Sequence, residues 1–72
     1  MNLELFGLRL KQLMTEKNYT IYTLAEAMEL SPSTISRYCN GLMKPKATAV
    51  HFMAMLLDVS PDYLKGLTDI RQ

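Results

Sequence analysis

The chain has 72 residues, 49% of them hydrophobic, and a formal net charge of +1 at pH 7. This length predicts a single domain, residues 1–72, whose small core often gains stability from a partner subunit. One cysteine and one histidine exclude an internal disulfide and a zinc finger, and no apolar run approaches the length of a membrane span. The first residues lack the pattern of a signal peptide, so we expect a cytoplasmic protein.

The basic residues are concentrated in the middle of the chain. Residues 1–29 and 58–72 each carry one more acidic than basic side chain, whereas no acidic residue lies between Leu30 and Leu57. That middle segment contains Arg37, Lys44 and Lys46. Such a patch suits a negatively charged partner, but the same three cations also suit an ordinary solvated surface.

Apolar residues recur at three- and four-residue spacings, which predicts an all-helical fold. The first helix is predicted from Leu3 to Lys17, with Arg9 among the residues that face water. Its predicted buried residues are Phe6, Leu10, Leu13 and Met14. Thr20 can cap a second helix that ends at about Met28. The inward side of this helix is predicted to be Leu24, Ala25 and Met28.

A serine followed by a proline marks the start of the third helix. Ser31 can accept a hydrogen bond from a free N–H group of that helix, and Pro32 has no N–H group that would need a partner there. Ile35 and Tyr38 are predicted to point inward. The helix is predicted to stop at Asn40-Gly41, because glycine adopts the left-handed conformation that ends helices.

Two more helices are predicted in the C-terminal part. A loop containing Pro45 leads to a fourth helix, from residue 47 or 48 to residue 57. Its predicted core residues are Val50, Met53, Ala54 and Leu57. Ser60-Pro61 repeats the serine-proline start for a fifth helix from Asp62 to about Gly66. The tail from Thr68 is predicted to fray.

The second and third helices, joined by a three-residue turn, predict a helix-turn-helix at about residues 21–40. In such a unit one helix enters the DNA major groove while the other crosses the backbone. Its apolar positions suit two crossing helices, with small Ala25 at the closest approach. The positions predicted to be buried are Leu24, Met28, Leu30, Ile35 and Tyr38.

Four segments of the chain form a combined pattern, which covers nearly its whole length. They are Leu24-Ala25-Glu26, Ser31–Gly41, Lys44-Pro45 and Val59–Leu64. In order and separation they resemble the Cro and phage-repressor helix-turn-helix family, also called xenobiotic-response-element-like regulators. The resemblance implies an all-α, five-helix, lambda-repressor-like DNA-binding domain whose third helix reads bases.

The third helix has the chemistry of a base-reading surface at its exposed N-terminal end. Arg37 can donate two hydrogen bonds to guanine O6 and N7, which makes it the first candidate for base contact. The other base-reading candidates are Pro32, Ser33 and Ser36. The candidates for contact with the DNA backbone are Thr34, Asn40, Lys44, Lys46, Thr20 and Thr23.

Several positions depart from the family pattern. Glu29 stands where the family usually has a glycine, at a turn position that often needs a positive φ. Ile21 replaces a polar residue that anchors the second helix to a phosphate. Met14 and Cys39 replace an arginine and a glutamate that form a semi-buried ion pair. Because both charges are absent together, we predict that Cys39 packs against Met14 as a small hydrophobe.

The fourth helix is predicted to be apolar on its outer side as well. We predict a dimer interface there, because a sizeable exposed apolar patch usually marks an interface. Its predicted residues are Phe52, Met55, Leu56, Tyr63 and Leu67. A two-fold dimer would place two third helices about 34 Å apart, which matches a palindromic operator.

These features predict a sequence-specific regulator of transcription that binds double-stranded DNA, a bacterial or phage repressor of the Cro type. We expect no enzyme, cofactor, metal, membrane or small-molecule substrate, because one histidine and no glycine-rich loop leave no catalytic arrangement. The aromatic residues Phe6, Tyr19, Tyr22 and Phe52 are predicted to pack rather than to stack on single-stranded bases.

Two alternatives use the same fold. One is an antitoxin-type DNA-binding protein with a protein partner on the fourth helix. The other is a protein-interaction module that has lost DNA binding. This alternative is favoured by the low net charge, by Glu29 and by Ile21.

Overall fold

The computed structural model describes all 72 residues and contains five α-helices and no strand. The helices are α1 (Leu3–Glu16), α2 (Ile21–Met28), α3 (Pro32–Cys39), α4 (Ala47–Leu57) and α5 (Pro61–Lys65). The all-helical prediction is therefore confirmed, with differences of one residue at the ends of α1 and α5. None of the five helices has the length and apolar character needed to cross a bilayer.

Side-chain caps fix the starts of four helices, since each cap accepts a hydrogen bond from a backbone N–H three residues later. The capping residues are Asn2, Thr20, Ser31 and Ser60. The sequence predicted three of them, and Asn2 was missed. Pro32 and Pro61 occupy the first position of their helices, as expected.

The core contains sixteen buried hydrophobic residues, and no polar residue is buried with them. It includes every residue predicted to lie in the core of α1, α2, α3 and α4, apart from half-buried Leu30 in the turn. Cys39, Tyr63 and Leu64 complete it. Since the core draws on all five helices, the position of α3 depends on the packing of the whole chain.

Gly7 lets α1 approach the end of α3 at backbone distance. A Cβ at this position would lie 2.5 Å from the carbonyl oxygen of Cys39 and 2.9 Å from that of Tyr38. Neither oxygen can swing away as a side chain could, because both belong to the backbone. The glycine in the middle of α1 therefore sets how closely α3 sits.

We predict that Gly7→Ala destabilises the fold by about 1 kcal/mol. Overpacking costs about 1 to 3 kcal/mol, and two backbone oxygens closer than 3 Å place this site in the upper half of that range, of which the better helix propensity of alanine returns only about 1 kcal/mol. Chemical denaturation measures the change. Gln12→Ala, at an exposed position of the same helix, should stay within about 0.5 kcal/mol of the parent. Equal stability of the Gly7→Ala protein and the parent would contradict the close contact.

Arg9 lies under the C-terminal tail, which corrects the prediction that it faces water. Its Nη1 donates to the carbonyl oxygens of Tyr63 at 2.6 Å and Thr68 at 2.8 Å, and its Nη2 donates to Asp69 at 2.6 Å. The guanidinium carbon lies 4.1 Å from the centre of the Tyr63 ring, within the range of a cation–π interaction.

The tail itself contacts α1, although the sequence predicted that it frays. Arg71 donates two hydrogen bonds to the Glu16 carboxylate, at 2.7 and 2.8 Å, and these bonds lower the pKa of Glu16. Ser60 N–H donates to the carbonyl of Arg71. We call this group of contacts the C-terminal clasp; its side chains are Arg9, Glu16, Tyr63, Asp69 and Arg71.

The C-terminal clasp also removes one residue from the predicted dimer interface. Tyr63 is only 7% exposed, because its ring packs into the core and lies close to both clasp arginines. Its place in an outward-facing patch was wrong. The spacing on α5 could not show this, since the residues that cover the ring come from α1 and the tail.

Candidate nucleic-acid interface

A left-handed residue ends α2 and turns the chain toward α3. Glu29 has φ 56° and ψ 40°, which confirms that this turn position needs a positive φ. The N–H of Leu30 donates to Ala25 O at 2.9 Å and closes the helix. Ser31 then caps α3. The three-residue turn is thus closed by backbone bonds at one end and by a side-chain cap at the other.

We predict that Glu29→Gly stabilises the protein by about 1 kcal/mol, because glycine adopts the left-handed conformation without steric cost. Thermal and denaturant unfolding measure the difference. Glu29→Ala is the matched control: it removes the charge but keeps the Cβ, so it should bring no gain. An equal gain from alanine would show that the carboxylate, and not the backbone, carries the cost.

The hydroxyls at the start of α3 are engaged with one another. Ser31 Oγ accepts a hydrogen bond from the N–H of Thr34 at 3.2 Å, and it lies 3.1 Å from the hydroxyl of Ser33 and 2.9 Å from that of Thr34. Ser33 is exposed, whereas Pro32 and Thr34 are half-buried. Ser33 therefore remains accessible to a partner, and Thr34 is tied to the cap.

Arg37 is exposed, and its guanidinium forms no ion pair or hydrogen bond within the chain. It lies in the last turn of α3, not at the N-terminal end where the sequence analysis placed it. From the last turn of α3, the guanidinium can approach a base edge because the arginine side chain is long. Half-buried Ser36 precedes it on the same helix.

Lys44 and Lys46 in the loop after α3 are also exposed and unpaired. Together with Arg37 they contrast with Arg9 and Arg71, whose charges are used in the C-terminal clasp. Asn40 is exposed, and its Nδ2 donates to the carbonyl of Ser36 at 2.9 Å, which leaves its side-chain oxygen free. The available cations of the middle segment thus lie in the last turn of α3 and in the loop that follows it.

The start of α2 offers two backbone donors. Thr20 and Thr23 cap each other: Thr20 Oγ1 accepts from the N–H of Thr23 at 3.1 Å, and Thr23 Oγ1 accepts from the N–H of Thr20 at 2.8 Å. The N–H groups of Ile21 and Tyr22 have no partner. Free N–H groups at a helix start suit a phosphate oxygen. Half-buried Ile21 instead packs its side chain against the core.

Tyr22 is 68% exposed, so the prediction that it packs in the core is wrong. It was missed as a candidate for the interface, although it lies at the same helix start as Thr20 and Thr23. The helical period could have predicted this exposure, because Leu24 and Met28 point inward and position 22 falls on the opposite side of the helix. Phe6 is fully buried and Tyr19 is half-buried, as predicted.

Met14 and Cys39 join α1 to the last residue of α3. Their sulfur atoms lie 3.7 Å apart and both side chains are buried, which confirms the predicted apolar contact. Burial raises the pKa of the Cys39 thiol. The cysteine thus remains a neutral packing residue at this contact.

A short helix braced against a second helix with an exposed, unpaired arginine is the arrangement of DNA-binding proteins that insert a helix into the major groove. The helix-turn-helix family model matches residues 10–64 of the chain. The chain belongs to this family, the Cro/C1-type helix-turn-helix proteins. The family consists of DNA-binding transcriptional regulators.

One curated relative and two solved structures illustrate the similarity. The uncharacterized HTH-type transcriptional regulator YobD of Bacillus subtilis (strain 168) is 38% identical over 61 residues, which are 85% of this chain and 54% of YobD. The chain therefore spans about half the length of this relative.

The crystal structure of the restriction-modification controller protein C.AhdI from Aeromonas hydrophila matches with a TM-score of 0.78 and 31% identity, over 86% of this chain and 94% of that chain. A complex of SinR and SinI proteins matches with a TM-score of 0.75 and 32% identity, over 82% of this chain and 58% of that chain.

Proposed function

We propose that this chain is a repressor of bacterial or phage type that binds a palindromic operator as a homodimer and acts by occupying promoter DNA. The observation that carries the proposal is the unpaired Arg37 on α3, followed by two unpaired lysines in a segment without acidic residues. A guanidinium that has no partner within the chain is free to donate two hydrogen bonds to one guanine.

The proposed contacts divide into those that specify a sequence and those that position the protein. Arg37 reads a guanine, and exposed Ser33, with Ser36 and Pro32, lies against neighbouring base edges. Lys44 and Lys46 neutralise phosphates after the end of α3. The remaining backbone contacts come from Thr34 and Asn40, and from Thr20 and Thr23 beside the free N–H groups of α2.

The proposed dimer interface lies on the outer side of α4. Met55 is 68% exposed and Leu67 is 71% exposed, while Phe52 is 37% exposed and Leu56 is half-buried. Apolar side chains on the outside of a helix whose inner side already fills the core gain most by burial against a second copy. A two-fold axis through this surface would give the spacing of about 34 Å that a palindrome needs.

Selection from a randomised pool of duplex DNA, at two salt concentrations, tests the DNA part of the proposal. We expect an enriched palindrome with a guanine in each half-site, and an affinity that falls steeply as salt rises. No enrichment, with only weak salt-dependent binding, would contradict sequence-specific recognition and favour the protein-interaction module.

Sedimentation at micromolar concentration tests the dimer. We expect a dimer for the parent chain and a monomer for Met55→Glu, because a carboxylate would be buried without a partner. Leu8→Glu is the matched control, since Leu8 is 55% exposed on α1, outside the proposed interface. A monomeric parent with and without operator DNA would contradict the homodimer.

The antitoxin-type alternative has one observation in its favour, the similarity to SinR in a structure that also contains SinI. In that alternative the outer side of α4 binds a different protein. Co-purification with the product of a neighbouring gene, lost in Met55→Glu and kept in Leu8→Glu, would favour it over the homodimer.

A further inference from the structure

An apolar cavity lies between the end of α2, α3, the loop that follows α3, and α4. Its volume is about 360 Å³, which falls in the range of about 300 to 1,000 Å³ typical of small-molecule sites. Six of its nine lining residues are hydrophobic; Met28, Leu30, Ala49 and Phe52 are among them. The cavity exists in part because Ala49 presents only a methyl group on the α4 side.

The charged groups of this cavity are all positive. Lys44 and Lys46 line it, both without an ion-pair partner, and no carboxylate does. Tyr38 also lines it; the residue as a whole is only 6% exposed, and its hydroxyl, which has no hydrogen-bond partner in the chain, is accessible to solvent and to a ligand. The Phe6 ring meets the Tyr38 ring edge-on at 5.9 Å and restricts its movement. Burial raises the pKa of Tyr38, so its hydroxyl stays a donor.

We propose that this cavity binds a small amphipathic carboxylate, with its hydrocarbon part against Met28, Leu30 and Phe52 and its carboxylate at Lys44 and Lys46. Charge complementarity selects this class of ligand, because an apolar cavity with two unpaired ammonium groups and an unused hydroxyl favours an apolar body with an anionic end. A neutral hydrocarbon would gain no charge interaction from those groups, which would stay solvated.

Occupation of the cavity would compete with DNA. Lys44 and Lys46 are also proposed phosphate contacts, so a bound carboxylate would take both charges away from the backbone. This consequence rests on the proposed function, whereas ligand binding itself does not.

Titration of the ¹⁵N-labelled chain with 4-phenylbutyrate, followed by NMR, tests the site without DNA. We expect saturable shifts of amides around the cavity, and binding at least about tenfold tighter than that of 4-phenylbutan-1-ol, which lacks only the charged end. No saturable shift, or equal binding of acid and alcohol, would overturn the proposal.

A matched pair of substitutions locates the ligand. Ala49→Leu fills the cavity and should abolish binding, whereas Ala27→Leu makes the same change at an exposed position of α2 outside it and should not. Circular dichroism checks that both proteins fold. If Ala49→Leu fails to fold, Tyr38→Phe, which removes only the hydroxyl, should still weaken binding several-fold. Unchanged binding in the folded Ala49→Leu protein, or in Tyr38→Phe, would overturn the assignment.

Two further readouts separate the possible failures. Dilution of the protein alone should leave the amides of Met28, Leu30 and Tyr38 unshifted, because these cavity residues lie outside the proposed dimer interface. Shifts of these amides on dilution would assign the cavity to a second copy and overturn the proposal. Duplex binding is measured separately by fluorescence anisotropy. If the chain binds the ligand but no duplex, the proposed function is contradicted and the ligand site is supported. If it binds duplex DNA but no ligand, the ligand site is contradicted and the proposed function is unaffected.

Discussion

Replacement of Arg37 by alanine is expected to weaken operator binding by about 1 to 3 kcal/mol, which is roughly 5- to 150-fold. The loss has a defined cause, because the guanidinium is exposed, forms no bond within the chain and can pair with both acceptors of a guanine. Anisotropy titrations on the selected operator and on a duplex with that guanine replaced measure it. Discrimination between the two duplexes should disappear with the side chain.

Two control variants separate base reading from charge. Lys44→Ala should weaken binding to all sequences almost equally and lower the salt slope by about 1. Arg37→Lys keeps the charge but lacks the rigid planar fork that fits guanine O6 and N7, so it should lose part of the discrimination. If both Arg37 variants still discriminate fully between the two duplexes, the chain binds DNA in a sequence-specific way but Arg37 does not read the guanine.

The largest loss of stability is expected for Met14→Arg, at about 3 to 5 kcal/mol, because it would bury a charge without a partner beside the Cys39 sulfur. The family resemblance indicates a second substitution that should compensate for the buried charge. Adding Cys39→Glu rebuilds the arginine–glutamate pair that many family members have at these positions, and the double variant should recover most of the lost free energy of unfolding. Urea unfolding of both single variants and the double variant completes the cycle.

Cys39→Ala is the control in this cycle, since it keeps the site apolar and should cost far less than Cys39→Glu. Additive effects of the two charged substitutions would contradict the interpretation that Met14 and Cys39 are a coupled replacement. A loss below about 1 kcal/mol for Met14→Arg would show that the arginine reaches solvent.

The features that follow from local chemistry could be predicted from the sequence. Ser31 and Ser60 begin helices because a cap and a following proline act within a few residues. The positive φ of Glu29 was expected from the family resemblance, because the family usually has a glycine at this turn position. The inward residues of α4 could be predicted equally well, because the helical period alone separates Val50 and Leu57 from Met55.

The features that were missed depend on contacts between distant parts of the chain. From the sequence, Arg9 looks like a solvated residue on an amphipathic helix, because its acceptors lie 54 to 60 residues later, in α5 and the tail. Tyr63 looked exposed for the same reason. The cavity required the positions of three helices and a loop. Gly7 was visible as a glycine inside a helix, but the oxygens that it accommodates lie on α3.

The C-terminal clasp has a consequence for the rate at which the protein unfolds. Its contacts close nearly the whole chain into a loop, and such closure costs entropy that other native contacts must first offset. We therefore expect the clasp to form late in folding and to break early in unfolding. Interactions absent from the transition state slow unfolding without hastening folding, so we expect the tail contacts to slow the unfolding of the helix that supports α3.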